Sequence, residues 1–252
     1  MSANFRLDGR CALVTGAGRG LGQGMATALA EAGADVAGVD VIDLGETRRR
    51  VEAAGRRFAA LKQDLRGTAA ARASVEHAVA ALGRLDILIN NAGIIRRADA
   101  IDFGETDWDD VIDINLKSVF FLAQAAARQF VAQKSGGKIV NIASMLSFQG
   151  GIRVPSYTAS KSGVLGLTHL LANEWAGKCI NVNAIAPGYM ATDNTAPLRA
   201  DAARSAEILG RIPAGRWGEP EDLAGAVVFL CSPASDYMHG SVIAVDGGWL
   251  TR

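Results

Sequence analysis

Cysteine and histidine are both scarce. The chain has 3 of each in 252 residues. Cys11, Cys179 and Cys231 form an odd set without C-x-x-C spacing, which supports neither a disulfide framework nor a zinc site. His77, His169 and His239 make no pair at helical spacing, so no metal is expected. An excess of either charge is missing too. The 26 basic side chains balance 26 acidic ones, which argues against nucleic acid or an anionic membrane as partner. The one basic run, Arg48-Arg49-Arg50, lies in an amphipathic stretch and reads as a solvated helix face. No segment stays apolar long enough to cross a bilayer, and the opening MSANFRLDGR has no apolar signal core. No linker, repeat or low-complexity stretch marks a second domain. A cytoplasmic protein with a single domain over residues 1–252 is therefore expected.

What the chain does have is apolar residues, 49% of the total, and 29 glycines. That suits a well-packed α/β domain with many turns. Short apolar runs at Cys11–Thr15, Asp35–Asp40, Arg57–Lys62, Leu85–Asn90, Ile139–Ala143 and Asn181–Ala186 alternate with helix patterns. The alternation calls for a parallel sheet with right-handed crossovers. Trp108 to Lys134 reads as one long helix with Asn115 among apolar neighbours, where its amide needs a partner.

The first strand runs into Gly16-Ala-Gly-Arg-Gly-Leu-Gly22 and then a helix pattern. Free N–H groups and the helix dipole at such a junction attract a pyrophosphate, and glycine lets the backbone approach it. No register gives G-x-G-x-x-G. The pattern that fits is T-G-x-x-x-G-x-G, through Thr15, Gly16, Gly20 and Gly22. The second strand ends at Asp40, where a carboxylate would take the adenosine ribose hydroxyls and repel a 2′-phosphate. Asp40 thus favours NAD, whereas Arg19 in the loop points weakly to NADP. Asp64 and Leu65, after the third strand, stand where an adenine edge could be held. Asn91, Ala92 and Gly93 make a small polar strand end beside the cofactor.

The chemistry centres on Ser144 to Lys161. Tyr157 and Lys161 are i and i+4, hence on one helix face. A nearby ammonium would lower the pKa of the phenol and let it shuttle a proton. Ser144, after a strand, could bond the oxygen that gains or loses that proton; Ser147 is its rival.

Thr15-Gly16-x-x-x-Gly20-x-Gly22, Asn90-Asn91-Ala92-Gly93, Asn115, Ser144, Tyr157-x-x-x-Lys161 and Pro187-Gly188 resemble, in order and spacing, the short-chain dehydrogenase/reductases from about Leu7 to Trp249. The resemblance implies a Rossmann-type doubly wound parallel sheet of about seven strands in the order 3-2-1-4-5-6-7, and a homotetramer. It implies catalytic roles for Asn115, Ser144, Tyr157 and Lys161, with Asn115 holding a water that links the lysine to solvent. It selects Ser144 over Ser147. Leu21 joins the glycine loop as a cofactor contact, Lys161 also bonds the nicotinamide ribose, and Pro187, Gly188 and Thr192 close over the nicotinamide. Residues 193–212, polar and alanine-rich, are expected to form a mobile substrate lid.

The segments Asn141–Val164, Ala186–Thr192 and Arg204–Gly218 resemble a branch of that family acting on deoxy-sugar acids of the 2-deoxy-D-gluconate and 2-dehydro-3-deoxy-D-gluconate type, in uronate and pectin breakdown. The implied small-molecule substrate carries a carboxylate. Arg96, Arg97 and Arg153, with Gln149, are candidates to bind it, and Arg153 is the first choice for its closeness to Tyr157 in sequence. Three other readings stand beside this one: a 3-oxoacyl-carrier-protein reductase, a neutral-sugar dehydrogenase and a non-catalytic dinucleotide-sensing scaffold.

Overall fold

The computed structural model describes residues 4–252, so Met1 to Ala3 of the expected domain lie outside the described residues. Seven strands, β1 (Cys11–Thr15), β2 (Asp35–Asp40), β3 (Phe58–Lys62), β4 (Ile87–Asn90), β5 (Gly137–Ile142), β6 (Ile180–Pro187) and β7 (Val242–Val245), form one sheet in the order β3-β2-β1-β4-β5-β6-β7. All neighbours are parallel. The helices are α1 (Gly20–Glu31), α2 (Gly45–Ala53), α3 (Thr68–Leu82), α4 (Glu105–Ile112), α5 (Ser118–Gln133), α6 (Pro155–Trp175), α7 (Ala196–Ala200), α8 (Ala202–Arg211) and α9 (Ala224–Cys231).

A parallel sheet is covered on both faces, so its strands are apolar on both sides. In β1, Ala12 and Val14 pack with Met25 and Leu29 of α1 and Val227 of α9. Cys11 and Leu13 point the other way, into a cluster with Val75 of α3, Leu122 and Phe130 of α5 and Leu171 of α6. Buried acids sit at the amino ends of the strands: Asp86 holds Arg10, Arg84 and the Cys11 N–H, and Asp35 holds Arg56 and Arg57. Every buried charge there is paired, which leaves the carboxyl ends for chemistry.

The strand order reverses between β1 and β4. Open α/β sheets bind ligands at the carboxyl side of that switch point, and both the glycine loop and Asn91-Ala92-Gly93 emerge there.

One expectation about a helix needs correction. The helix predicted over Trp108–Lys134 begins at Glu105 and is interrupted by a π-helical turn at Asp113–Lys117, with Asn115 at its middle. Residues 193–212, expected as a lid, are helical: a 3₁₀ turn at Asp193–Thr195, then α7 with Pro197 in its first turn, then α8 capped by Asp201. Ile208 and Ile212 pack with Met145 and Trp249, so an apolar seam docks α8 on the body of the domain.

Candidate active site

The glycine loop shapes its own cradle. Gly20 has φ +55°, and a side chain there would meet Thr192 at the opposite wall. A Cβ on Gly22 would lie 2.0 Å from the Gly16 carbonyl oxygen, so only glycine lets α1 start this close to the end of β1. Arg19 caps α1 without a side-chain bond, which leaves the N–H groups of the first turn unpaired by the cap and facing the cleft. That is the donor set a diphosphate needs, and the residues fit a dinucleotide.

Around it, several of the residues expected to contact the cofactor also tie the protein to itself. Thr15 is buried; its Oγ1 donates to Ile89 O at 3.2 Å and accepts the Asn91 and Ala92 N–H groups, each at 3.0 Å. It joins the ends of β1 and β4. Asn91 donates from Nδ2 to Thr15 O and Gly16 O. Leu21, in the first turn of α1, is partly buried against the core, and Leu65 is buried in the opposite cluster. Asp64 is bound by Arg66, whose guanidinium holds its pKa low.

Asp40 is at the end of β2 as expected, and it accepts three backbone bonds: from Gly18 N at 2.8 Å, Val41 N at 2.7 Å and Ile42 N at 3.3 Å. Arg19 turns instead to Asp193, at 2.6 Å, at the root of the 193–212 segment.

Across the switch point, Asn115 is fully buried in the π-helical turn. Its Oδ1 accepts the Ile94 N–H at 2.8 Å, and its Nδ2 donates to Ile94 O at 2.9 Å and to Ser160 Oγ at 3.3 Å. The widened turn is what lets an amide reach sideways to the loop after β4 and to α6; π-turns of this kind recur at functional sites. Gly93 lies beside it, where a Cβ would come within 3.3 Å of Asn115 Oδ1.

Ser144 starts a 3₁₀ turn after β5. Its Oγ accepts Leu146 N at 3.2 Å, which leaves its proton free to donate into the cleft. Ser147 is committed elsewhere, donating to Lys161 O at 2.7 Å and accepting Ser144 N at 3.3 Å. It holds the other two residues in place. Tyr157 is half-buried; loss of water raises its pKa, while a hydrogen bond with Ser144 and the charge of Arg97 pull it down. Lys161 is buried, its Nζ donates to Ile142 O at 2.6 Å, and burial brings its pKa down to about 8. Lys161, expected to lower the tyrosine, has its ammonium 5.8 Å from the ring centre and bonded to a strand carbonyl, and it is not among the groups that pull the Tyr157 pKa down here. On balance burial outweighs Ser144 and Arg97, and the Tyr157 pKa stands above that of a free phenol.

Tyr157, the Ser144 hydroxyl, the buried Lys161 and the glycine-loop cradle lie on the carboxyl side of the sheet. The family model described as Enoyl-(Acyl carrier protein) reductase, of the short-chain dehydrogenase type, matches residues 16–250. The 2-dehydro-3-deoxy-D-gluconate 5-dehydrogenase of Escherichia coli (strain K12) is 64% identical over 248 residues, 98% of each chain. The chain belongs to the short-chain dehydrogenase/reductase family. It is an oxidoreductase of that family.

Other short-chain dehydrogenase/reductases agree. The 2-dehydro-3-deoxy-D-gluconate 5-dehydrogenase of Bacillus subtilis (strain 168) is 53% identical over 249 residues, 98% of this chain and 97% of that one. A crystal structure from Agrobacterium tumefaciens, described as a 2-deoxy-D-gluconate 3-dehydrogenase with bound NADP, superposes with TM-score 0.94 at 58% identity and 100% coverage of both chains. A gluconate 5-dehydrogenase from Burkholderia cenocepacia J2315, in complex with NADP and tartrate, gives 0.93 at 41% identity, with 99% and 98% covered. A nicotinamide dinucleotide, NAD or NADP, is thus the cofactor class of this short-chain dehydrogenase/reductase.

The arginines divide sharply. Arg96 is held by Asp107 and Asp110 of α4, both at 3.3 Å. Arg153, the first choice from sequence, pairs with Asp99 at 3.0 Å on the exposed rim and adopts φ +63°, unusual for a residue with a side chain. Arg97 is the cation whose charge acts on Tyr157, and it donates to Asn194 O at 2.9 Å. Sequence spacing gave no reason to rank it first. Gln149 is half-buried two residues past Ser147. Pro187 ends β6, and Gly188 lies so close to Asp246 that a Cβ would sit 2.6 Å from its Cα. Thr192 caps the 3₁₀ turn with Thr195 and faces Gly20. Among the described residues no metal-ligating cluster occurs and no helix is long and apolar enough to cross a membrane.

Proposed function

We propose that this enzyme interconverts a secondary alcohol and a ketone on a deoxy-sugar acid of the 2-deoxy-D-gluconate or 2-dehydro-3-deoxy-D-gluconate type, with NAD, in uronate or pectin breakdown. The observation that carries the substrate class is Arg97, an exposed guanidinium beside the catalytic tyrosine and free of any carboxylate partner among the described residues. A carboxylate can take such a fork bidentately. The curated relatives named above, and the tartrate in the Burkholderia cenocepacia structure, support an acidic substrate.

Asp40 supports NAD, because its charge would lie against a 2′-phosphate. The relatives solved with NADP make this a point to measure. A nicotinamide held in the cleft supplies or accepts the hydride. In the reducing direction Tyr157 gives its proton to the carbonyl oxygen, and Ser144 donates a second hydrogen bond to it. Lys161, at a pKa close enough to neutrality to exchange a proton, is the source that resupplies it. Arg97 holds the carboxylate and fixes which carbon faces the hydride.

We read the segment 193–212 as a lid, tied to the glycine loop through Arg19 and Asp193 and to the loop after β4 through Arg97 and Asn194. A cytoplasmic homotetramer completes the reading. Free thiols support a reducing compartment, and the exposed Ile101, Ile152 and Val131 support buried contacts between copies. A carrier-protein reductase, the rival suggested by the family model's description, would need a basic docking face, and Arg96 and Arg153 are already paired with acids.

The deciding experiment is initial rate with NAD and with NADP, each against 2-deoxy-D-gluconate, 2-dehydro-3-deoxy-D-gluconate and an uncharged sugar. Turnover of an acid with NAD, and little of the neutral sugar, is expected. Turnover only of the neutral sugar would sink the substrate class, and turnover only with NADP would sink the reading of Asp40.

A further inference from the structure

Every carbonyl of the glycine loop has a donor. Asn91 Nδ2 takes Thr15 O at 2.9 Å and Gly16 O at 3.2 Å, Thr47 Oγ1 takes Ala17 O at 2.6 Å, Gln23 Nε2 takes Gly18 O at 3.2 Å, and Gln23 N takes Arg19 O at 3.3 Å. Thr47 and Gln23 are also bonded to each other, Nε2 to Oγ1, at 3.0 Å. Thr47 is fully buried although it belongs to α2, whose sequence GETRRRVEA is otherwise mostly charged. Neither residue touches the catalytic quartet.

The planar trans peptide gives these bonds a consequence. Within one peptide unit the C=O of residue i and the N–H of residue i+1 point in opposite directions. Holding Ala17 O on Thr47 sends the Gly18 N–H the other way, and it meets Asp40 Oδ2 at 2.8 Å. Holding Gly18 O on Gln23 sends the Arg19 N–H toward the cleft by the same rule. Peptides flanked by glycine turn over at little steric cost, so an untied loop would also present carbonyl oxygens to the cleft. A carbonyl there repels a diphosphate, whereas a row of N–H groups binds it.

We propose that Thr47 and Gln23 are positioning residues for the dinucleotide diphosphate: they lock the Ala17 and Gly18 peptides so that the N–H groups from Arg19 onward face the anion. The inference rests on the dinucleotide site alone, not on the sugar acid or on NAD over NADP.

The test compares Thr47→Val, which keeps the shape and removes the hydroxyl, with Thr47→Ser, which keeps the hydroxyl, and with Gln23→Leu. Binding of NADH and of NADPH is followed by nucleotide fluorescence without substrate, and hydrogen exchange is measured on the unliganded proteins. Thr47→Val and Gln23→Leu should each weaken the bound nucleotide by about tenfold, the effect of one lost hydrogen bond to a buried group. Thr47→Ser should stay within about twofold, and kcat at saturating cofactor should change by less than about twofold in all three. Amides of the glycine loop should exchange faster in Thr47→Val while those of β5 and α6 do not. The proposal is overturned if Thr47→Val binds as the wild type does, if Thr47→Ser is as weak as Thr47→Val, or if kcat falls with the affinity. Because no sugar acid enters the binding measurement, a wrong substrate class leaves its outcome unchanged.

Discussion

Lys161 reaches back to Ile142 O, at 2.6 Å, although it shares one face of α6 with Tyr157. The two side chains are neighbours, as i and i+4 on a helix must be, yet the ammonium spends its bond on the last residue of β5. The lysine is only 4% exposed, and its proton is therefore held more loosely than in water.

That has a measurable sign. Lys161 gives up its proton at about 8 when folded, against 10.5 for the free side chain, so between those values the unfolded chain binds more protons. Stability contributed by this residue then rises with pH across the window. Tm of the wild type minus Tm of Lys161→Met should increase from pH 8 to pH 10.5, by an amount on the order of 3 kcal/mol in stability. A difference that stays flat or falls would mean that Lys161 is not desolvated.

Tyr157→Phe removes the proton donor and leaves the ring. Turnover should fall by about a thousandfold or more, with NADH binding unchanged within about twofold. Surviving turnover would put the proton donor elsewhere.

Arg97 and Arg153 separate cleanly. Arg97→Ala should lower kcat/KM for the sugar acid by about a hundredfold, the scale of a lost charge-assisted bond, with little effect on an uncharged sugar. Arg153→Ala should change neither by more than about threefold, because its pair with Asp99 is 60% and 65% exposed. At φ +63° the position favours glycine, and Arg153→Gly should leave Tm unchanged or raise it. The reverse order of the two alanine variants would restore the ranking suggested by closeness in sequence.

Asp40→Asn tests two roles at once. Removing the charge should raise the ratio of NADP to NAD in kcat/KM by about tenfold or more. The amide also offers one oxygen where the carboxylate accepts from Gly18, Val41 and Ile42, so the KM for NAD should rise as well. A variant with the selectivity of the wild type would show that the carboxylate does not reach the 2′ position.

The strands and the glycine loop were legible because each rests on near neighbours: β1 reads as a buried run, Thr15 to Gly22 as a strand-turn-helix junction, and Tyr157 to Lys161 as one helical turn. The π-turn was not. A helix that widens by one residue around Asn115 keeps the same apolar pattern, and only the pull of Ile94 and Ser160 on the amide distinguishes it. The composition of residues 193–212, rich in alanine and polar residues, hid α8, whose apolar side chains find their partners at Met145 and Trp249.

Six of the seven strands and the glycine loop were thus legible from periodicity and spacing, which fix which residues share a face, while the strand order and the cofactor class followed from the family resemblance. Only the tertiary structure decided which arginine stands by the tyrosine and what holds the glycine loop. Those outcomes depend on pairs distant along the chain, Arg97 with Asn194, Arg153 with Asp99, Thr47 with Ala17, and on which charges meet a partner once the chain has folded. Arg153 finds an acid and is neutralised at the rim, while Arg97 bonds only a backbone carbonyl.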